Sequence, residues 1–277
     1  YGGTRETLFL VGSMILLLLP VTVLLTVVMV PEGKNFIPAR MPLVPGLKLM
    51  WKNRPFKRLV LAFFVNQLGT SISTALIVFY VRSVLHEDEK TIVQLLVYYF
   101  FNLSGIPFFV KFSGQIGKHR AWSYALIGFS ICMLGYLLLG PGDFYWMLPI
   151  TAITGFLAGS FWVIPNSMKA DVIDIDRLES GEDRTAWYFA VWSLATKIAL
   201  SVGPALALGL LSMTGYSPSV DTDLSEGPTD GLKFLFVFGP SIGFMLTAFI
   251  AWNYPITEKY HKKIREQISQ ARKPSDS

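Results

Sequence analysis

Charge is what this chain has least of. Only 16% of its 277 residues are Asp, Glu, Lys or Arg, where a soluble domain carries roughly 25%. Hydrophobic residues make up 52% and mean hydropathy is +0.47. That excludes a disordered chain and argues against a water-soluble enzyme. Cysteine is nearly absent: the single Cys132 lies inside an apolar run, so neither a disulfide framework nor a cysteine metal site is available. The three histidines, His86, His119 and His261, all sit in charged connecting segments. No long apolar run contains an acid, a nucleophile–base pair or a metal constellation, so no enzyme chemistry is expected. An initiating methionine is also missing. With Tyr1 first, the chain reads as part of a longer polypeptide.

What is present is seven hydrophobic runs, 8–30, 59–85, 92–110, 121–139, 144–165, 187–213 and 232–254. Each is long enough to cross a hydrocarbon core of roughly 30 Å as a helix. They are continuously apolar and lack the two-residue alternation of a membrane barrel, which leaves helices as the spanning structure. The fold class expected is therefore all-α and multi-pass. Nineteen of the 24 Lys and Arg fall in 31–58, 111–120, 166–186 and 255–277, while Arg5, Arg82, Lys90 and Lys233 fall on the other side. The positive-inside bias places the first group in the cytoplasm, with the start of this chain outside and its end inside. The net charge of +5 then reports topology and not a nucleic-acid partner. The external loop near 215–231 carries Asp221, Asp223, Glu226 and Asp230. In the basic tail, Tyr260, Ile264 and Ile268 share one helical face, either an interfacial helix or a solvated stop-transfer tail.

Lys197 is the one charge deep inside a run, about 15 Å past Trp187 along the helix axis. Placing it there costs at least about 2.5 to 3.5 kcal/mol on insertion scales, which marks it as a candidate functional residue. Either it is neutral or its carboxylate partner lies elsewhere. Ser193 and Ser201 stand one turn to either side, with Gly203, Ala205, Ala207 and Gly209 allowing close helix approach. Asn66, Thr70, Ser73 and Thr74 form a second polar stripe; Gln94, Tyr98 and Asn102 form a third. Three stripes and a lysine point to a shared hydrated cavity. Thr151, Gly155, Ala158 and Trp162 share a face in the fifth run, and Pro165 is expected to break that helix. Trp162 reads as a sugar-stacking platform or as a core or interface aromatic. In the loop that follows, Asp171, Asp174, Asp176 and Arg184 read as an ion-pair cluster or a solvated charged segment.

PNSMKADVIDID followed by WSLATKIALSVGPALALGLLSMTGY resembles the tenth and eleventh helices of the glycoside-pentoside-hexuronide:cation symporters, the melibiose-permease branch of the major facilitator superfamily. GIPFFVKFSGQIGKHRAW resembles that family's junction of helices eight and nine, and NRPFKRLVLAFFVNQLG its seventh-helix entry. The resemblance implies a major facilitator fold with helices six to twelve of twelve present: helix six over 1–30, a cytoplasmic central loop over 31–58, a six-helix bundle over 59–254 and a basic cytoplasmic tail over 255–277. It implies a cation-coupled symporter of a sugar or glycoside in the plasma (inner) membrane, with a small-molecule solute and the lipid bilayer as partners. Trp162 in FWVIP matches a sugar-lining tryptophan. Asn66, Thr70, Tyr98, Asn102 and Ser193 fall in as substrate-binding candidates beside it. Lys197 matches the lysine beside the cation site. Asp171, Asp174 and, with a one-residue offset, Arg184 match a cytoplasmic salt-bridge gate. No cofactor is implied; the coupling cation, Na⁺ or H⁺, would be bound mainly by helices one to five, which this chain lacks. A lysolipid transporter of the same superfamily is the closest alternative and a heptahelical receptor a remoter one.

Overall fold

The computed structural model describes residues 2–30, 46, 50–216 and 226–256. The chain divides into two units, 1–39 and 40–277. Among the described residues there is no strand, and seven segments are long and apolar enough to span a membrane. The acidic loop positions 217–225, most of 31–49 and the tail from 257, including Tyr260, Ile264 and Ile268, lie outside the described residues.

The first unit contributes α1 (Gly2–Met29), apolar on every side. Its described hydroxyls, on Ser13, Thr22 and Thr26, bond within the helix. Ser13 donates to the Phe9 carbonyl at 2.7 Å and Thr26 to that of Thr22 at 2.8 Å, one turn back along the same helix.

The described residues of the second unit bundle around α2 (Arg54–Ser83), α3 (Thr91–Ile116), α4 (Lys118–Met133), α5 (Phe144–Ala158), α6 (Ser160–Ser180), α7 (Thr185–Met213) and α8 (Glu226–Trp252). Asn53 caps α2 by accepting the Phe56 N–H at 3.0 Å, and Pro55 fills the first turn, where its missing N–H costs nothing. Gly181 ends α6 at φ 69°, a left-handed position that suits glycine, and its N–H donates to the Arg177 carbonyl at 3.1 Å.

The helix α2 packs most broadly, against α7 and α8, while α3 lies along α5 and α4 along α8. Between them Phe56, Phe63, Tyr80, Trp122, Phe144, Tyr188, Phe236 and Phe244 are almost fully buried. Both ends of α2 are tied. At one, Arg58 donates to the Ile250 carbonyl at 2.7 Å and to that of Asn253 at 2.8 Å, satisfying the last carbonyls of α8. At the other, the Tyr80 hydroxyl donates to the Tyr136 carbonyl, and Ser83 Oγ lies 2.6 Å from the Tyr216 hydroxyl. Two charge-assisted bonds at a partly solvated site are worth about 2 kcal/mol together. Arg58→Ala is therefore expected to lower the thermal midpoint of the detergent-purified protein by several degrees, read by a tryptophan-fluorescence melt; an unchanged midpoint would remove the clamp.

The fifth run departs from expectation. Pro165 does not break its helix, since α6 continues through it to Ser180, so much of the segment expected to be loop is helical. The break falls instead at Gly159, between α5 and α6. There α3 comes so close that a Cβ on Gly159 would lie 2.6 Å from the Asn102 carbonyl oxygen. The buried stripe of α6 runs through Phe161, Ile164, Met168 and Val172, which leaves Trp162 off the face shared by Thr151, Gly155 and Ala158. On α7, Gly203 does admit Ser71 of α2 to close contact, whereas Gly209 faces open space.

Candidate functional site

A recess of about 60 Å³ opens among α2, α3, α4 and the turn after it, α5, α6 and α8. At roughly 10–15 Å³ per water it has room for a few waters, well short of the roughly 300 Å³ at which ligand pockets begin. Its polar lining is uncharged: Thr70, Ser73 and Thr74 from α2, Gln94 and Tyr98 from α3, then Tyr136 and Thr154. Phe129, Phe161 and Phe244 form its apolar floor. Thr70 donates to the Asn66 carbonyl at 3.0 Å, Thr74 to that of Thr70 at 2.9 Å, and Thr154 to that of Ile150 at 2.9 Å. Those hydroxyl protons are thus committed to their own helices, which leaves the oxygens with acceptor capacity. Gln94 differs. It is 4% exposed, and its Oε1 has no hydrogen-bond partner. A buried carboxamide oxygen left unpaired is costly, so the recess calls for a donor.

Along α2 the same face leads from Thr70 through Asn66 to Phe63. Asn66 is fully buried; its Nδ2 donates to Gln67 Oε1 at 3.3 Å and its Oδ1 is unpaired. Phe63 stacks on Trp192 of α7 with centroids 3.9 Å apart, and Trp162 meets Phe63 edge-on at 5.9 Å. Trp162 is 48% exposed, so it presents aromatic surface outward and does not line the recess. Ser193 follows Trp192 on an exposed face of α7, and Lys197 is exposed one turn on. Among the described residues the Lys197 side chain has no hydrogen-bond or ion-pair partner. Of the candidates read from sequence, Thr70 and Tyr98 line the recess; Asn66 lies beneath it; Trp162, Ser193 and Lys197 belong to the neighbouring outward surface. Asn102 is apart from both, with its backbone oxygen set against Gly159.

The charged candidates gather at the ends of α4, α6 and α7. Lys118 Nζ reaches both oxygens of Asp171, at 2.7 and 2.6 Å. Arg184 pairs with Asp176 at 3.5 Å and with Glu182 at 3.0 Å, and Arg177 with Asp183 at 3.7 Å. Asp183 also accepts the Thr185 N–H at 3.2 Å; the hydrogen bonds from Thr185, and then the charge of Arg177, hold its carboxyl below the usual range. Asp171, Asp174 and Arg184 are thus at one end of the bundle, but Asp171 is engaged by Lys118. Sequence reasoning passed over Lys118, whose pairing with Asp171 spans 53 positions. Gln94 stood in its polar stripe beside Tyr98 and Asn102, and nothing in the spacing singled it out. Among the described residues no three His, Cys, Asp or Glu side chains are placed to hold a metal.

Among the described residues, seven segments are long and apolar enough to span a membrane, and the polar recess lies among those of the second unit. The chain belongs to the MFS/sugar transport protein family, whose model it matches over residues 1–258. It is 25% identical over 247 residues to uncharacterized symporter sll1374 of Synechocystis sp., covering 85% of this chain and 44% of that protein. It is 27% identical over 242 residues to the glucuronide carrier protein homolog of Escherichia coli, covering 82% and 50%. With the sodium-dependent lysophosphatidylcholine symporter 1-A of Danio rerio it shares 24% identity over 241 residues, covering 86% and 44%. The chain spans about half the length of these relatives.

Proposed function

We propose that the protein acts in cation-coupled symport of a sugar or glycoside, with the bundle described here forming one side of an alternating-access carrier. The observation that carries this reading is the uncharged recess, where hydroxyl oxygens and the unpaired Gln94 carbonyl offer acceptors to the hydroxyl donors of a sugar. Its size suits one hydroxyl-bearing edge of a solute, with the rest lying over the Trp162 surface. The symporter names of the relatives support coupling to an ion, and the name of the Danio rerio relative makes Na⁺ the first ion to try beside H⁺. Lys197 is proposed to stand at the cation site, and Asp171, Asp174 and Arg184 at the cytoplasmic gate. Ion and solute would then share one coupling free energy. The same relative's name raises a lysolipid as the rival solute, but a small polar recess suits a sugar edge better than an acyl chain.

The test is uptake by the native protein in a host lacking it, with glycosides and lysolipids offered under separate Na⁺ and H⁺ gradients. Glycoside accumulation under one gradient is expected. Gln94→Leu should raise its KM about five- to tenfold, the value of one neutral hydrogen bond. Lys197→Ala should abolish accumulation at unchanged membrane level. Lysolipid uptake alone, or full accumulation by Lys197→Ala, would overturn the reading.

A further inference from the structure

The segment leading into α2 carries charge that no contact above explains. Lys52, Arg54 and Lys57 are all exposed, and among the described residues none meets a carboxylate within ion-pair distance. No local acid is available to them, since neither Asp nor Glu occurs between Glu32 and Glu87. Arg58, the fourth cation, is taken up by the carbonyls at the end of α8. The other cations at this end of the bundle show the contrast: Lys118, Arg177 and Arg184 each hold a carboxylate. Lys57 is held by a ring instead. Its Nζ lies 5.8 Å from the centroid of Trp51, which is 61% exposed. Cation–π attraction at an open site orients the ammonium without neutralising it, so its N–H donors stay open to an anionic acceptor.

Along the helix from that cation the surface turns apolar. On the helical repeat Lys57, Leu61, Phe64 and Leu68 share one face of α2, opposite the face of Thr70 and Ser73 that lines the recess. The two neighbouring helices flank this outer face. Tyr188 and Trp192 of α7 meet Phe56 and Phe63 on one side, while Ile250 and Thr247 of α8 meet Arg58 and Ala62 on the other. Between them Leu61 is 51% exposed. A second aromatic pair, the half-exposed Tyr124 and Trp252, stands edge to face at 5.4 Å beside the same end of α8, as side chains do where a spanning surface meets headgroups. We infer that Lys52, Arg54 and Lys57 bind the phosphate of an anionic phospholipid, with Trp51 at headgroup level and an acyl chain along Leu61 and Phe64 between α7 and α8. A free phosphate or an acidic peptide would use the cations alone; the apolar stripe running from them into the membrane selects a lipid. The inference does not depend on which solute is carried.

The purified protein, stripped of lipid in detergent, is titrated with dioleoylphosphatidylglycerol or dioleoylphosphatidylcholine, and bound lipid is counted by native mass spectrometry. The first phosphatidylglycerol is expected to bind at least about tenfold more tightly than phosphatidylcholine. Lys57→Gln should weaken it about fivefold, the value of one cation beside an anionic surface. The triple variant Lys52→Gln, Arg54→Gln, Lys57→Gln should bring the two lipids level. Removing the same charge from the tail, by Lys262→Gln, Lys263→Gln and Arg265→Gln, should leave the preference within twofold. Should the triple variant not accumulate, quenching decides: dibrominated phosphatidylglycerol is expected to quench tryptophan emission of the native protein more than that of Trp51→Phe. No preference for phosphatidylglycerol, an equal loss in the tail variant, or equal quenching of the two proteins overturns the inference. Displacement of the lipid by glycerol phosphate or by a polyglutamate peptide overturns it too, in favour of a site for the charge alone.

Discussion

Gly105→Leu is expected to abolish recovery of folded protein from the membrane. A Cβ on Gly105 would run into the backbone carbonyl of Phe156, and the obstruction is reciprocal across the seam. A Cβ on Gly155 would lie 2.5 Å from the Tyr98 carbonyl oxygen, and one on Gly159 would lie 2.6 Å from that of Asn102. These obstacles are backbone, so no rotamer change relieves them, and α3 would have to leave α5 along several turns. Intrinsic preference runs the other way, since leucine favours a helix over glycine by about 0.8 kcal/mol. Overpacking of ordinary cores costs about 1–3 kcal/mol even where side chains can yield. Here they cannot, and a loss beyond about 4 kcal/mol, a large part of a typical protein's stability, is expected. Gly209→Leu is the control, because nothing lies within 4 Å of its missing Cβ. Size-exclusion of detergent extracts should show a monodisperse peak for Gly209→Leu and none for Gly105→Leu. A normal peak for both would mean that the seam does not exist.

The second large effect concerns Lys118 and Asp171, and it is asymmetric. Breaking a buried pair by removing one partner costs about 3–5 kcal/mol. The side chains are 24% and 10% exposed respectively, so water moderates the loss and about 2–3 kcal/mol is the expected cost of Lys118→Met. That change takes the positive charge away from a carboxylate on a short stem, which cannot reach solvent by itself. Asp171→Asn should cost less, because the long lysine stem can carry its ammonium outward. The double variant should lie above Lys118→Met alone, with a coupling energy of at least about 1 kcal/mol in a thermal-unfolding cycle. Additive losses would show that the two groups are neighbours without interacting.

The spans were legible because hydropathy over about 20 residues is a property of the run itself; seven runs became seven spanning segments. The break within the fifth was not. Pro165 is the residue that chemistry nominates, yet α6 passes through it, and Gly159 interrupts the helix where α3 presses against it. That cause lies in another helix, some 55 positions away, and no local pattern carries it. The polar stripes likewise showed which faces of α2 and α3 are special, and Thr70, Gln94 and Tyr98 do meet in one recess. Spacing alone does not say which member of a stripe has a free oxygen. The threonines spend their protons on their own helix, and the glutamine, with a longer stem, has nothing to spend its acceptor on. Nothing in the sequence sets Lys169 apart from its charged neighbours, because its burial and the approach of two rings from α7 appear only once α6 and α7 pack.

Arg58 at one end of α2, and Tyr80 with Ser83 at the other, have a mechanical consequence. A beam clamped at both ends has no free end to swing. The helix that carries Phe63, Asn66, Thr70 and Thr74 therefore cannot tilt without dragging α8 and the turn after α4 with it. The polar recess and the aromatic surface keep a fixed spacing along one rod, whatever the bundle does as a body. If the sugar reading proposed above holds, a ruler of this kind would select solutes by length as well as by chemistry, since a molecule with its ring on the aromatics and its hydroxyls short of the recess would not be met halfway.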